Sequence, residues 1–318
     1  MYNNILNNLP GNIRNIVKKI NFSLNSILEI RLRVNQPLQI IGYQNDFFIS
    51  KKGAVTDNYN QAYKIKKSDL KEAMLILTEN SKYALERQMR EGFITIKGGH
   101  RVGFTGKIIY EKNRIKTIKH INSINYRITR EVIGAAEKVI DKLYDIQRDI
   151  VYNTLIISPP LAGKTTLLRD IIRILSKGNH KIPGKKIGLV DERSELAGAY
   201  KGISQNDLGY RTDVLDNCNK NEGMMLLVRS MSPDVIAVDE IGKKSNIKAI
   251  EEVINSGVTL ITTIHGNSLK SIKSKPGMKN IIKNQFFERY IILSKKKEIG
   301  EIKKVLNTDY KEVTSVGV

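Results

Sequence analysis

A stretch near the middle of the chain has the composition of a loop that binds phosphate. Its residues are Ser158, Pro159, Pro160, Leu161, Ala162, Gly163, Lys164, Thr165 and Thr166. The usual pattern is G-x-x-x-x-G-K-[ST], and only its first glycine is missing, because Ser158 stands there. The apolar run LIIS predicts a strand before the loop, and an amphipathic helix is predicted from Thr165. This strand–loop–helix context favours a nucleotide site.

Each residue type that the pattern specifies serves a chemical purpose. The N-terminus of a helix offers unpaired N–H groups and a positive dipole end to a phosphate. Lys164 is expected to bind the β- and γ-phosphates, and the Thr165 hydroxyl is expected to hold Mg²⁺. The alternative is a basic helix start after a Pro-Pro turn, since G-K-T-T is short enough to arise by chance.

A second acidic motif would complete the same site. The run VIAV, residues 235–238, predicts a buried strand, and Asp239 and Glu240 follow it directly. This is the Walker B arrangement, in which Asp239 would complete the Mg²⁺ shell and Glu240 would polarise the attacking water. The alternative is a buried strand whose acidic end caps the next helix.

Two further apolar runs also end in polar residues. LVDE ends in Asp191 and Glu192, and ITTIHG contains His265. Ligands bind at the carboxyl ends of the strands in open α/β sheets, which favours His265 over the other three histidines. Glu192 is therefore an alternative to Glu240 as the catalytic base, and His265 could sense the γ-phosphate.

These motifs lie where apolar strands alternate with helices, which predicts a parallel sheet covered on both faces. We assign them to an α/β domain over residues 131–318, with helices from Glu131 to about Leu143 and from about Ser245. The runs RYIILSKK and EIKKVLN predict a final pair of strands.

Residues 1–130 predict a smaller α+β domain. LEIRLRV alternates in the manner of a half-buried strand. One helix is expected from an N-cap at Ser68 to about Leu77, and a second from about Tyr83 to a stop at Gly92. A hairpin is expected at Gly98-Gly99, followed by two strands, NRIKTI and SINYRIT.

The composition limits the environment and the partners. One cysteine, Cys218, cannot form an internal disulfide, and the N-terminal MYNNILNNLPGN lacks the pattern of a secretory signal, so we expect a cytoplasmic protein. The net charge of +21 would attract nucleic acid or anionic lipid. Lysine is spread along the whole chain, however, so compositional drift is the simpler explanation.

Several longer segments resemble one family. They are LEIRLRVNQPLQI, REGFITIKGGHRVGFTGK, ISPPLAGKTTLLRD, LVDERSELAGAYKG, DLGYRTDVLDNC, EGMMLLVRSMSPDVIAVDEIG and ITTIHG. Together they resemble the stage III sporulation protein AA family, which is similar to the ATPases of type II and type IV secretion. The resemblance implies a RecA-like P-loop ATPase domain that binds ATP and Mg²⁺. It also implies a homo-oligomer, expected to be a hexamer, at the inner face of a membrane. Its partners would be integral membrane components of a channel complex between mother cell and forespore.

The resemblance also implies roles for individual residues. Asp191 and Glu192 match the acidic box of the secretion ATPases, and His265 matches their histidine box. In those ATPases, arginines from the N-terminal domain and linker reach the nucleotide. Arg127 is the best match for such an arginine, and Arg101 is a second candidate.

The phosphate loop departs from the family pattern G-P-P-G-C-G-K-T-T at two positions. Ser158 and Leu161 each replace a glycine, and a branched side chain at a positive φ is costly. We therefore expect a working ATP site with slow turnover. One alternative is a nucleotide-dependent oligomeric scaffold with little hydrolysis. Another is a RecA-like nucleic-acid motor, against which the aromatic content of 6% counts.

Overall fold

The structure is a computed structural model that describes residues 2–20, 26–43, 45–78, 86–242, 245–275, 277–294 and 300–313. The chain divides into two compact units, Met1–Arg130 and Glu131–Val318, here called unit 1 and unit 2. Within the described ranges, no helix combines the length and the apolar character needed to cross a membrane.

The described residues of unit 1 form four helices and one antiparallel sheet. The helices are α1 (Tyr2–Asn7), α2 (Gly11–Val17), α3 (Lys67–Leu77) and α4 (Glu86–Glu91). The strands are β1 (Ile27–Arg33), β2 (Gln39–Gly42), β3 (Asp46–Ile49), β4 (Val55–Thr56), β5 (Phe93–Ile96), β6 (His100–Glu111) and β7 (Arg114–Arg127). Their order in the sheet is β4-β3-β2-β1-β7-β6-β5. Apolar residues of the sheet and of α1 to α3 share one buried cluster.

Unit 1 confirms the predicted hairpin and corrects two details. Gly98 and Gly99, both at positive φ, turn the chain between β5 and β6. Ser68 is not an N-cap: α3 begins at Lys67, because the Asp69 carboxylate accepts the Lys66 N–H at 2.9 Å. The two strands predicted after the hairpin are one, since β7 pairs with β6 along its whole length. The second predicted helix is described from Glu86 to Glu91, as α4, and its predicted start at Tyr83 lies outside the described residues.

Unit 2 is built on a mostly parallel sheet. Its strands are β8 (Tyr144–Asp145), β9 (Ile150–Val151), β10 (Thr154–Ser158), β11 (Ile187–Asp191), β12 (Thr212–Asp216), β13 (Val235–Val238), β14 (Thr259–His265), β15 (Arg289–Leu293) and β16 (Ile302–Leu306). The main sheet has the order β12-β11-β13-β14-β10-β15-β16, with β16 antiparallel to β15 and the other pairs parallel. β8 and β9 form a separate short hairpin.

Helices cover both faces of the main sheet, as the apolar strands predict. The helices are α5 (Lys164–Lys177), α6 (Lys220–Met231), α7 (Ser245–Asn255), α8 (Leu269–Lys273) and α9 (Met278–Lys283). Successive strand residues point to opposite faces, so Ile156 packs with α5 in one cluster while Leu155 and Ile157 pack with α6 to α9 in another. Every residue of β10 is buried, which fixes the strand that leads into the phosphate loop.

The helix predicted from Glu131 to Leu143 is wrong. Gly134 adopts φ 91°, which interrupts a right-handed helix, and the Ala136 N–H bonds to the Asp170 carboxylate at 2.8 Å. The segment folds instead as successive turns that end in a 3₁₀ helix, Ile140–Lys142. These turns place all the apolar residues of the segment from Ala136 to Leu143 against the cluster that contains α5.

Candidate nucleotide-binding site

The phosphate loop joins β10 to α5 and contains two residues at positive φ. Gly163, the N-cap of α5, has φ 89°, and Leu161 has φ 64° with its side chain 92% exposed. Ser158 is buried at the end of β10 in extended conformation, and its hydroxyl donates to the Pro159 carbonyl at 2.8 Å. Of the two positions where the family pattern has glycine, Leu161 has a left-handed backbone and Ser158 does not.

The other loop residues shape the turn. The Ala162 side chain is buried, and its carbonyl accepts the Gly300 N–H at 2.9 Å, which ties the loop to the segment before β16. Pro160 is exposed, and Thr166 is half-buried in the first turn of α5. The free N–H groups at the start of this 14-residue helix face the ligand side of such a loop.

Asp239 is the centre of the site's hydrogen bonds. Its Oδ1 accepts from Lys164 Nζ at 2.9 Å and from the Thr263 hydroxyl, and its Oδ2 accepts from Thr165 Oγ1 at 2.9 Å. Burial raises the pKa of Asp239, but the Lys164 charge and the hydrogen bonds outweigh it and hold the pKa below its ordinary value. Asp239 is therefore ionised at neutral pH. The structure brings the two sequence motifs together in one cluster.

Glu240 follows Asp239 in an unusual backbone conformation. Its φ is 58°, in the left-handed region, and its N–H donates to Thr263 Oγ1 at 2.9 Å. Its half-exposed carboxylate lies 3.7 Å from Lys164 Nζ, 3.5 Å from an Arg193 nitrogen and 3.4 Å from His265 Nε2. The carboxylate thus faces solvent among three basic side chains, where it can accept a proton from a water molecule.

His265 lies at the end of β14, opposite Ser158 in the parallel register with β10. Its carbonyl accepts from the Lys275 ammonium, and its Nε2 faces Glu240. Nδ1 is buried and contacts no hydrogen-bond partner in the part of the chain that the structure describes. A ring anchored by its backbone and paired with Glu240 can respond to changes at that carboxylate.

Asp191 and Glu192 have different surroundings. The buried Asp191 carboxylate accepts three backbone N–H groups, from Glu195, Leu196 and Ala197, at 2.8–2.9 Å. Burial raises the pKa of Asp191 to about 6, while the three N–H bonds act in the opposite direction. Glu192 instead forms an ion pair with Lys220 at 3.1 Å. Asp191 orders its loop, and Glu192 contacts a cation.

Three residues of the site were not singled out from the sequence. Thr263 contacts both Asp239 and the Glu240 N–H, Lys220 contacts Glu192 and the chain after β13, and Arg193 contacts Glu240. Thr263 lies two residues before His265 on the same strand, so the face of β14 indicates it. No sequence motif indicates that Lys220 belongs to the site, because α6 brings it there from a separate part of the chain.

Arg127 and Arg101 lie in unit 1, opposite each other on β7 and β6. Arg127 has a 60% exposed side chain, and its Nε lies 3.5 Å from Glu29 Oε1. The Arg101 guanidinium lies over the Phe93 ring, 4.1 Å from its centroid. An approach of Arg127 to the nucleotide stays a prediction.

The oxygen atoms of the site suit Mg²⁺. Thr165 Oγ1 and Asp239 Oδ2 lie 2.9 Å apart, and hydroxyl and carboxylate oxygens are hard ligands of the kind that Mg²⁺ takes with substrate phosphates and water. Among the described residues, no group of three or more His, Cys, Asp or Glu side chains is arranged to hold a metal. The Thr165 and Asp239 oxygens fit a magnesium ion that nucleotide phosphates would also bind.

Comparison with solved structures shows the fold. The chain superimposes on the ATPase DotB of Legionella pneumophila with a TM-score of 0.53 and 15% identity, covering 89% of this chain and 77% of that one. The pilus retraction motor PilT with bound ADP gives a TM-score of 0.53 and 14% identity, covering 88% and 76%. These likenesses confirm the predicted fold class, an α/β domain of the RecA-like type with a smaller N-terminal domain.

Comparison of sequences shows the family. The profile described as "Sporulation stage III, protein AA" matches residues 2–313. The stage III sporulation protein AA of Bacillus subtilis (strain 168) is 38% identical over 311 residues, which are 96% of this chain and 95% of that protein. The chain therefore belongs to the stage III sporulation protein AA family.

Proposed function

We propose that the protein is an ATP-hydrolysing motor of the secretion-ATPase type. The observation that carries the proposal is the convergence of Lys164, Thr165, Asp239 and Glu240 at the carboxyl ends of β10 and β13. This arrangement supplies a phosphate-binding cation, two oxygen ligands for Mg²⁺ and a carboxylate beside the position of the γ-phosphate.

The mechanism follows from what these residues can do. Lys164 exchanges its contact with Asp239 for the β- and γ-phosphate oxygens, and the N–H groups at the start of α5 bind the same phosphates. Thr165 and Asp239 would hold a Mg²⁺ ion, which would supply charge neutralisation on the phosphates when bound. Glu240 orients a water molecule and accepts its proton as the water oxygen bonds to the γ-phosphorus. The bond from the γ-phosphorus to the bridging oxygen breaks, and ADP leaves with the electron pair.

The pair of His265 and Glu240 links the reaction to movement. Their separation of 3.4 Å gives an attraction that depends on the charge of Glu240. When Glu240 accepts the proton of water, that attraction falls, and the His265 ring can move away from Glu240. Arg127 of unit 1 would add charge to the γ-phosphate, as the family resemblance implies.

The cellular role follows from the family. We propose that ATP hydrolysis powers or assembles a channel complex between mother cell and forespore. The protein would act as a homo-oligomer, expected to be a hexamer. It would lie on the cytoplasmic side of the membrane and contact integral membrane components of the channel.

A second candidate function is a scaffold in which ATP orders an oligomer and is rarely hydrolysed. The observation that favours it is the left-handed backbone of Leu161, because strain in the phosphate loop weakens its grip on the nucleotide. ATP-dependent assembly with negligible turnover would support this candidate over the motor.

Two substitutions test the proposed ATPase activity, one through ATP binding and the other through turnover. Lys164→Ala removes a contact made in the ground state and the transition state, so ATP binding should weaken. Glu240→Gln removes only the proton acceptor, so binding should persist while kcat falls by about 10²-fold or more. Phosphate release and nucleotide titration measure both effects, with Lys248→Ala, whose side chain is 88% exposed, as the control. Normal turnover by the Glu240→Gln protein would overturn the assignment of the base.

A further inference from the structure

The Lys220 ammonium lies at a junction between three parts of the site. It is the first residue of α6, and its side chain is only 13% exposed. Its Nζ donates to the carbonyl of Asp239 at 3.0 Å and to the carbonyl of Glu240 at 2.7 Å, and it lies 3.1 Å from Glu192 Oε2. An ammonium has three donors, and these three acceptors match that number.

The two carbonyls that Lys220 binds flank the unusual backbone of Glu240. A residue with a Cβ adopts φ 58° only where its surroundings hold it there. The Glu240 N–H is held by Thr263 Oγ1, and its carbonyl is held by Lys220. The peptide groups on both sides of the Glu240 side chain are therefore fixed, and with them the direction in which that side chain leaves the backbone towards Lys164 and His265.

The contact with Lys220 also gives Glu192 a role other than that of a base. A partly buried ammonium needs a counter-ion, and Glu192 is the carboxylate that contacts this one. We propose that Lys220 is a positioning residue that holds the backbone of Glu240, and that Glu192 acts through Lys220 as its counter-ion rather than on the attacking water. This inference rests on the proposed ATPase activity.

A double-mutant cycle on kcat tests the inference. Lys220→Met should lower kcat by about 10- to 100-fold, which is the scale for a displaced catalytic group, and should leave KM for ATP within about threefold. Lys220→Arg, which keeps the charge, should restore most of kcat. Glu192→Gln should lower kcat less than Glu240→Gln does. In the Lys220→Met background, Glu192→Gln should lower it no further.

Two more measurements separate positioning from general stability. The acid limb of the kcat pH profile should keep its midpoint in the Glu192→Gln protein, since Glu240 remains the base. Lys248→Met removes an exposed ammonium from α7 and should leave both kcat and thermal unfolding unchanged. If Lys220→Met unfolds the protein, the activity of Lys220→Arg and the pH profile of Glu192→Gln still decide the question.

Three results would overturn the inference. The first is normal kcat in folded Lys220→Met protein. The second is a Glu192→Gln effect that multiplies with that of Lys220→Met, and the third is a displaced acid limb in the Glu192→Gln profile. If the wild type binds ATP without hydrolysing it, the proposed motor fails as well. If only the Lys220 and Glu192 variants disagree, the motor stands and the inference alone fails.

Discussion

Leu161→Gly should tighten nucleotide binding. Leu161 has φ 64°. That conformation costs an L-residue with a Cβ about 1–2 kcal/mol of free energy, whereas it costs glycine almost none. The side chain is 92% exposed, so its removal costs little packing. Glycine also makes the free loop more flexible, and ordering that loop offsets about 0.5–1 kcal/mol of the relieved strain. The net gain is about 0.5–1 kcal/mol, which corresponds to about two- to fivefold in Kd if the gain is realised on binding.

Two controls separate backbone strain from other effects. Leu161→Ala shortens the side chain but keeps the Cβ, and with it the strain, so Kd should change by less than about twofold. Ser158→Gly restores the other missing glycine at a buried position with extended backbone, where no strain exists to relieve. This variant should not tighten binding. A gain that is specific to Leu161→Gly therefore identifies the left-handed backbone as its cause.

Titration with a fluorescent ATP analogue, together with thermal unfolding in the absence of nucleotide, measures both effects. If the loop leaves this conformation between binding events, the gain appears in Kd. If the loop keeps it throughout, the gain appears in Tm instead. The reasoning fails if Leu161→Gly changes neither quantity, or if Leu161→Ala reproduces the whole gain.

The remaining predictions concern three other residues. Arg127→Ala should lower ATPase activity by up to about 10³-fold. Its exposed pair with Glu29 predicts a loss of unfolding free energy below about 1 kcal/mol, and full activity would contradict the role implied by the family. The folded-state pKa of Asp191 is raised to about 6 from 3.8, so its contribution to stability is complete below pH 4 and is lost as pH rises towards 6. This loss is at most about 3 kcal/mol, and Asp191→Asn should abolish that slope in urea unfolding. Thr263→Val leaves the partly buried Glu240 N–H without its acceptor and should destabilise the fold by about 1–3 kcal/mol, whereas Thr263→Ser should not. Equal Tm values for the two variants would contradict this prediction.

The sequence predicts the centre of the site because parallel strands bring their carboxyl ends to the same edge of a sheet. Lys164 and Asp239 are 75 residues apart, yet each follows an apolar strand, and the carboxyl ends of parallel strands meet at one edge of a sheet. The positions of the strand ends therefore predict that Lys164 and Thr165 lie beside Asp239. The same argument places His265 beside β10, where the register pairs it with Ser158.

The parts that sequence did not predict depend on tertiary contacts. The segment from Glu131 to Leu143 has apolar residues at helical spacing, but Gly134 and the Asp170 carboxylate redirect it into turns. Lys220 looks like any lysine at the start of a helix, because two of its three acceptors are backbone carbonyls, which any residue type carries. Periodicity and motifs do not encode such contacts.

The strand order of unit 2 has a consequence for biosynthesis. β10 pairs with β14 and β15, so Thr154 lies opposite Ile261 and Arg289. At about 5–20 residues per second, the ribosome needs roughly 7–27 s after adding Thr154 to reach Arg289. Until then, the strand that carries the phosphate loop has no complete set of neighbours, and its apolar side chains stay available to chaperones. The antiparallel hairpins of unit 1 pair residues close in sequence and can form much earlier. Nucleotide therefore reaches a site with a complete sheet only after the ribosome has added Arg289 and the rest of β15.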